Sequence, residues 1–168
     1  MLDPSLPSLQ TLCKIKLLIL DVDGVLTDCR IWYDSPGKWK RFYSIRDGVG
    51  LKELMKVGVR TAVITGSESE EIRERVKSLH IEFLYEGAMD KMPSFQDLIE
   101  QTELAPDEIA YIGDDIYDIP LLERVGFAAT VPEAVDEVKQ IVQYVTKRPG
   151  GNGAVREVCD LIRKARLK

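Results

Sequence analysis

Apolar residues along this chain fall into two patterns: short, nearly unbroken runs, and longer stretches in which they recur every three or four positions. The first unbroken run, residues 14–22, is rich in Leu and Ile and reads as a strand buried on both faces. Similar runs follow at "VRTAVIT" (59–65), "EFLYEG" (82–87), "EIAYIG" (108–113), "GFAATV" (126–131) and, more briefly, "QYVT" (143–146). The stretches between them have helical spacing: 48–57, 68–79 with Ser67 as its cap, 90–101, 117–125, 132–142 opened by Pro132, and 154–166. The helix at 68–79 carries acidic residues first and basic ones later, as the helix dipole favours. Two aromatic-rich runs, 30–33 and 39–44, flank "DSPGK" and predict a β-hairpin.

Strands alternating with helices predict an α/β fold: a three-layer Rossmann-like parallel sheet with helices on both faces. Only about twenty residues separate the loop after the first strand from "RDG", which leaves room for a β-hairpin flap but no large cap domain. The expected organisation is an N-terminal arm, 1–13, loosened by its prolines, and one domain, 14–168, with its flap at 28–45 and a C-terminal tail at 147–168.

At 168 residues the chain has the length of one domain with an ordinary core. Charged residues make up 30% and hydrophobic residues 45%, a globular composition. No apolar run approaches the roughly 18 residues of a membrane span, and the start lacks the basic and apolar regions of a secretory signal. Three widely spaced cysteines (Cys13, Cys29, Cys159) argue against a disulfide scaffold or zinc site and fit a reducing cytoplasm. A net charge of −5 argues against nucleic acid as the main partner.

The chemistry gathers at the predicted strand ends, where parallel sheets bind ligands. The first strand runs directly into "DVDG", two carboxylates (Asp21 and Asp23) one residue apart. Like charges at the mouth of a buried strand are costly without a cation between them. Thr65 ends the second strand, Asp114 and Asp115 follow "YIG", and Lys91 opens the helix after "LYEG". Facing one crevice, the carboxylates would hold Mg²⁺, while the hydroxyl and ammonium would bind phosphoryl oxygens. That set suits phosphoryl transfer, where positioning and charge neutralisation carry most of the catalysis. Taken singly, Lys91 and Thr65 are unremarkable, since a lysine at a helix start is ordinarily solvated.

"DVDGVLTD", "ITG", Lys91 and "GDDIYD", in that order, resemble the four motifs of the haloacid dehalogenase superfamily of phosphatases. "RDGVGLKEL" and "RPGGNGAVREVCDLI" narrow the resemblance to members acting on 3-deoxy-D-manno-octulosonate 8-phosphate, an acidic sugar phosphate of lipopolysaccharide synthesis. The likeness spans residue 14 to the C-terminus.

It implies Asp21 as nucleophile, forming an aspartyl-phosphate, and Asp23 as general acid and then base. It implies Mg²⁺ held by Asp21, Asp114 and the Asp23 carbonyl, Thr65 and Lys91 on the phosphoryl group, and Asp115 and Asp118 orienting the lysine or metal waters. For the substrate it points to Ser44, Ile45, Arg46, Asp47 and Gly48, to Lys91, and to Arg75, which also stands where it would pair with Glu71 four residues earlier.

The resemblance further implies a cytoplasmic homotetramer in which each flap docks on a neighbour, presenting Trp32 and Trp39, and the "RPGGNG" tail reaches a neighbouring site. The sequence departs from the pattern directly after "ITG", where the usual arginine is Ser67, followed by Glu68. Relatives acting on a nine-carbon 3-deoxy-nonulosonic acid 9-phosphate tend to carry glutamate there, so that substrate or another small phosphate ester is the alternative. A non-enzymatic oligomerisation module, the third reading, would have lost the nucleophile or the lysine; both are present. His80, the only histidine, reads as a helix C-cap or edge residue and not as a catalyst.

Overall fold

The computed structural model describes residues 7–35 and 37–168. The strands are β1 (Leu17–Leu20), β2 (Trp32–Tyr33), β3 (Trp39–Lys40), β4 (Arg60–Ile64), β5 (Phe83–Tyr85), β6 (Ile109–Ile112), β7 (Phe127–Thr130) and β8 (Tyr144–Val145). The helices are α1 (Leu9–Lys14), α2 (Ile45–Lys56), α3 (Glu70–Leu79), α4 (Met92–Thr102), α5 (Ile119–Leu122), α6 (Asp136–Ile141) and α7 (Ala154–Arg166).

Six strands pair in parallel in the order β5-β4-β1-β6-β7-β8, with β2 and β3 forming a separate antiparallel hairpin. Every residue of β1 is buried because both faces are covered. Leu18 and Leu20 point into a core built with α2, α3 and α7, while Leu17 and Ile19 point into one built with α4 and α5. The three-layer α/β architecture is thus the one the alternating pattern predicts. β1 lies between β4 and β6, so chain connections diverge from it to both sides and open a crevice at its carboxyl end.

The elements differ from the sequence expectations where tertiary partners intervene. Part of the expected loose arm is helix: Ser8 caps α1 through the Thr11 N–H, and Leu12 is buried in the core shared with α7. Residues 1–6 of that arm lie outside the described residues. α2 begins at Ile45 rather than at residue 48, because the Ser44 hydroxyl accepts the Asp47 N–H. α3 begins after Ser69, not Ser67, whose side chain turns to Asp23 instead. α6 begins after Val135, whose N–H is committed to the Asp114 carbonyl at 3.0 Å, and not at Pro132. His80 does cap α3, in the left-handed conformation.

The flap, hairpin included, is open to solvent, with Tyr33, Trp39 and Phe42 exposed; Trp39 packs on Tyr33 at 4.9 Å and Trp32 on Phe42 at 6.2 Å. The start of the tail segment packs on its own chain, against the loop that follows β1. Gly151 donates to the Val25 carbonyl, and a Cβ on Gly150 would sit 1.8 Å from the Gly24 carbonyl oxygen. Only a residue without a side chain lets the tail lie this close to the loop that follows β1.

Candidate active site

The chain leaves β1 at Asp21 and turns through Gly24, whose φ of 90° is a left-handed conformation that glycine adopts freely. A Cβ there would also overlap the Asp114 carboxylate, at 1.9 Å from its Oδ2. This turn brings the ends of β1 and β6 together. Asp21, Asp23, Thr65, Ser67, Lys91, Asp114, Asp115 and Asp118 all line one crevice of about 230 Å³.

Lys91 is the hub. It precedes α4, yet its side chain is only 5% exposed, because the Nζ turns inward to Asp21 Oδ1 at 2.6 Å, Asp118 Oδ1 at 2.5 Å and the Tyr111 hydroxyl at 3.1 Å. Burial opposes the ammonium charge, but the two carboxylates outweigh it and hold the group above the usual lysine range.

Asp118 is satisfied from every side. Its Oδ1 accepts from Lys91 and from Tyr111, and its Oδ2 accepts the backbone N–H groups of Asp114 (2.9 Å) and Asp115 (3.1 Å). It therefore fixes both the lysine and the loop that carries Asp114. Asp115 is exposed, and its carboxylate caps its own turn by accepting the Ile116 N–H.

The electrostatics ask for a cation. Burial pushes the Asp21 carboxyl up to about 7, Lys91 pulling it down and the Asp118 charge pushing it further up. Burial, reinforced by the charges of Asp21, Asp118 and Asp115, pushes Asp114 up to about 8. Carboxylate oxygens of Asp21, Asp114 and Asp118 lie within 4.8 Å of one another. Because the Asp118 oxygens are taken by four donors, Asp21 and Asp114 are the carboxylates left to ligate. All-oxygen ligation at this spacing fits Mg²⁺.

Asp23 differs from Asp21 in surroundings. Burial would push its carboxyl up, but hydrogen bonds from Arg41 and Ser67 outweigh that and hold it below the usual carboxylate value. Thr65 accepts the Ser67 N–H at 3.1 Å, which directs the loop after β4 across the crevice.

The other expected substrate residues are not brought to the crevice of their own chain. Ser44 caps α2, Ile45 is 81% exposed and Arg46 is exposed. Asp47 is buried and accepts the Gly153 and Arg156 N–H groups at 3.2 and 2.8 Å, so its carboxylate caps α7. Gly48 lies against Arg75 and Leu79. Arg75 donates to the Ser44 carbonyl at 2.8 Å and covers the Tyr43 ring; it does not pair with Glu71, which Arg41 takes at 2.8 Å.

Two side chains of the site were passed over in the sequence. Tyr111 reads there as one more strand residue, and Arg41 as one member of the run 39–44. The signal for Tyr111 was its hydroxyl in an otherwise apolar buried strand.

Comparison with known proteins bears on this geometry. The profile of the haloacid dehalogenase-like hydrolase family matches residues 80–158. The chain is 41% identical over 155 residues to the 3-deoxy-D-manno-octulosonate 8-phosphate phosphatase KdsC of Escherichia coli K12, covering 92% of this chain and 82% of that one. It superimposes with a TM-score of 0.92 on the Moraxella catarrhalis 3-deoxy-D-manno-octulosonate 8-phosphate phosphatase in complex with magnesium ion, phosphate ion and KDO (38% identity; 95% of this chain, 91% of that one). The cobalt-bound phosphatase of Haemophilus influenzae gives a TM-score of 0.90 at 38% identity, covering 95% of this chain and 93% of that one.

Proposed function

The chain belongs to the haloacid dehalogenase-like hydrolases, and on that premise we propose that it is a Mg²⁺-dependent phosphatase releasing phosphate from 3-deoxy-D-manno-octulosonate 8-phosphate, in lipopolysaccharide sugar synthesis. The observation that carries the reading is the buried Asp21 carboxylate, 2.6 Å from an inward-turned Lys91, at the carboxyl end of the central strand.

In the first step Asp21 Oδ attacks phosphorus, forming an aspartyl-phosphate, and the P–O bond to the sugar breaks. Asp23 gives its proton to the departing alkoxide. In the second step Asp23 takes a proton from water, and that water's oxygen attacks the phosphoryl group, releasing phosphate and restoring Asp21. Lys91 neutralises charge on the phosphoryl oxygens and on Asp21, and the Thr65 hydroxyl donates to a phosphoryl oxygen. Asp118 and Tyr111 act through Lys91 by fixing the Nζ. Asp21, Asp114 and the Asp23 carbonyl would hold Mg²⁺, which would supply the charge that offsets the repulsion between the Asp21 carboxylate and the phosphate dianion.

Exposed Ile31, Trp32, Tyr33, Trp39 and Phe42 support docking of the flap on a second copy of the chain, and thus a homotetramer. The exposed Ile45 and Arg46 would then face the neighbour's substrate. Among the described residues no helix is long and apolar enough to cross a membrane, in keeping with action in the cytoplasm. Light scattering tests the assembly; a fully active monomer contradicts it.

Ser67 in place of arginine favours, as the second reading, a nine-carbon 3-deoxy-nonulosonic acid 9-phosphate. Phosphate release from the two sugars side by side, with Mg²⁺ and with EDTA, separates them. Preference for the eight-carbon substrate is expected. No metal-dependent release from either refutes both and revives the oligomerisation module.

A further inference from the structure

The fork that holds Asp23 comes from the flap. Arg41 follows β3 directly, and its side chain is only 9% exposed. Its Nε reaches Asp23 Oδ1 at 2.6 Å and its Nη2 reaches Oδ2 at 3.1 Å, a bidentate pair. The same Nη2 donates to Ser67 Oγ at 3.0 Å, and Ser67 Oγ donates to Asp23 Oδ2 at 2.6 Å. Held by three donors, the Asp23 carboxyl cannot turn an oxygen toward the bond that breaks.

Arg41 has a second counter-ion. Its Nη1 donates to Glu71 at 2.8 Å, so the guanidinium can leave Asp23 while keeping one carboxylate as a pivot. It also lines a groove of about 430 Å³ between the flap and the start of α3, with Lys38, Trp39 and Lys40 on one side, Glu68, Glu70 and Glu71 on the other, and Ser67 shared with the crevice at Asp21; Lys38 is paired with Glu70, which leaves the Arg41 guanidinium as the cation nearest Ser67. Because Ser67 borders both cavities, a phosphate ester seated at Asp21 would have room to extend past it into that groove. An anion carried there meets Arg41 and competes with Asp23 for it.

We propose that Arg41 is a specificity-determining latch: a carboxylate on the sugar, remote from the phosphate, draws the guanidinium off Asp23 and so frees Asp23 for proton transfer. The inference rests on the phosphatase reading above and adds how an acidic sugar phosphate is told from a neutral phosphate ester. The exchange swaps ionic partners; no covalent bond forms or breaks in it. Neutral esters lack the anion, leave the latch closed and react slowly.

The test is steady-state kcat/KM of the full chain with 3-deoxy-D-manno-octulosonate 8-phosphate and with p-nitrophenyl phosphate, for the wild type, Arg41→Gln and Arg41→Lys. In Arg41→Gln the preference for the acidic sugar is expected to fall by about 30-fold or more, the size of losing one partner of a buried charge pair, while the neutral ester reacts faster than in the wild type. Arg41→Lys, which keeps the charge without the fork, is expected to lie between. A parallel fall for both substrates would show that Arg41 only props Asp23, and overturns the latch.

The wild type gives a reading independent of any variant's folding: the carboxamide analogue of the sugar phosphate should react more slowly by a similar factor, and equal rates overturn the proposal. If the wild type cleaves p-nitrophenyl phosphate but no acidic sugar phosphate, the substrate assignment fails separately. A faster neutral reaction in Arg41→Gln would still support release of Asp23, and no increase would overturn it.

Discussion

Asp118→Asn removes one charge and alters nothing else in shape, yet it strikes the point on which the site is hung. The carboxylate accepts four hydrogen bonds: from Lys91 Nζ at 2.5 Å, from the Tyr111 hydroxyl, and from the backbone N–H groups of Asp114 and Asp115. An amide keeps one acceptor oxygen. With that oxygen toward the backbone, its NH₂ faces the ammonium and the phenol; reversed, the NH₂ faces two peptide N–H groups. Either way two buried donors lose their acceptor.

Each charge-assisted bond contributes about 1.5–3 kcal/mol. Lys91 keeps Asp21 as a counter-ion at 2.6 Å, so no isolated charge is left behind. The total loss is therefore about 3–5 kcal/mol, the size of breaking a buried ion pair. For a domain of this size that corresponds to a drop of roughly 10 °C in Tm, with folding retained.

Because Asp118 acts on the reacting group through Lys91 and through the loop that carries Asp114, kcat should fall by about 10²–10³-fold while KM changes little. Thermal unfolding by circular dichroism and steady-state phosphate release check both numbers. An unchanged Tm with full kcat, or a loss confined to KM, would refute the hub role of Asp118.

Two further outcomes follow from the geometry. Without metal, burial holds Asp21 at about 7 and Asp114 at about 8, so the folded chain binds protons that the unfolded chain has shed above the ordinary carboxylate range. Metal-free stability should therefore fall as pH rises from about 4 to 8, and Mg²⁺ affinity should weaken more than tenfold from about pH 8 to pH 6, as calorimetry reads it; pH-independent binding contradicts this. Asp47→Ala should cost about 2–3 kcal/mol of stability through the lost cap on α7, measured by urea unfolding. Unchanged stability with a raised KM would instead favour direct contact of Asp47 with the substrate.

What could be read from the chain alone follows how local each cause is. The Leu and Ile run of β1, its two aspartates and the strand–helix alternation depend on near neighbours in sequence, and they fixed the crevice's place in the fold. Lys91 is different: nothing near it in sequence says that its side chain turns inward, and only Asp21 and Asp118, from other elements, make burial tolerable. Ser67 has the chemistry of a helix cap and also of an acid's hydrogen-bond donor. Asp23, distant in sequence, decides between them.

Arg41 was illegible for the same reason, and it misleads about Arg75 as well. By taking Glu71 from another element it removes the partner that helical spacing offers, and Arg75 turns to the Ser44 carbonyl instead. The N-terminal prolines suggested a loose arm, whereas Leu12, one buried side chain against α7, is enough to dock a short helix.

The most direct measurement of the central claim is rapid-quench mass spectrometry of the protein during turnover of 3-deoxy-D-manno-octulosonate 8-phosphate. A transient adduct with the mass of one phosphoryl group, mapped to Asp21, requiring Mg²⁺ and missing in Asp21→Asn, is the predicted result. Turnover without any adduct, or an adduct on another residue, would contradict the assignment of Asp21 as the nucleophile.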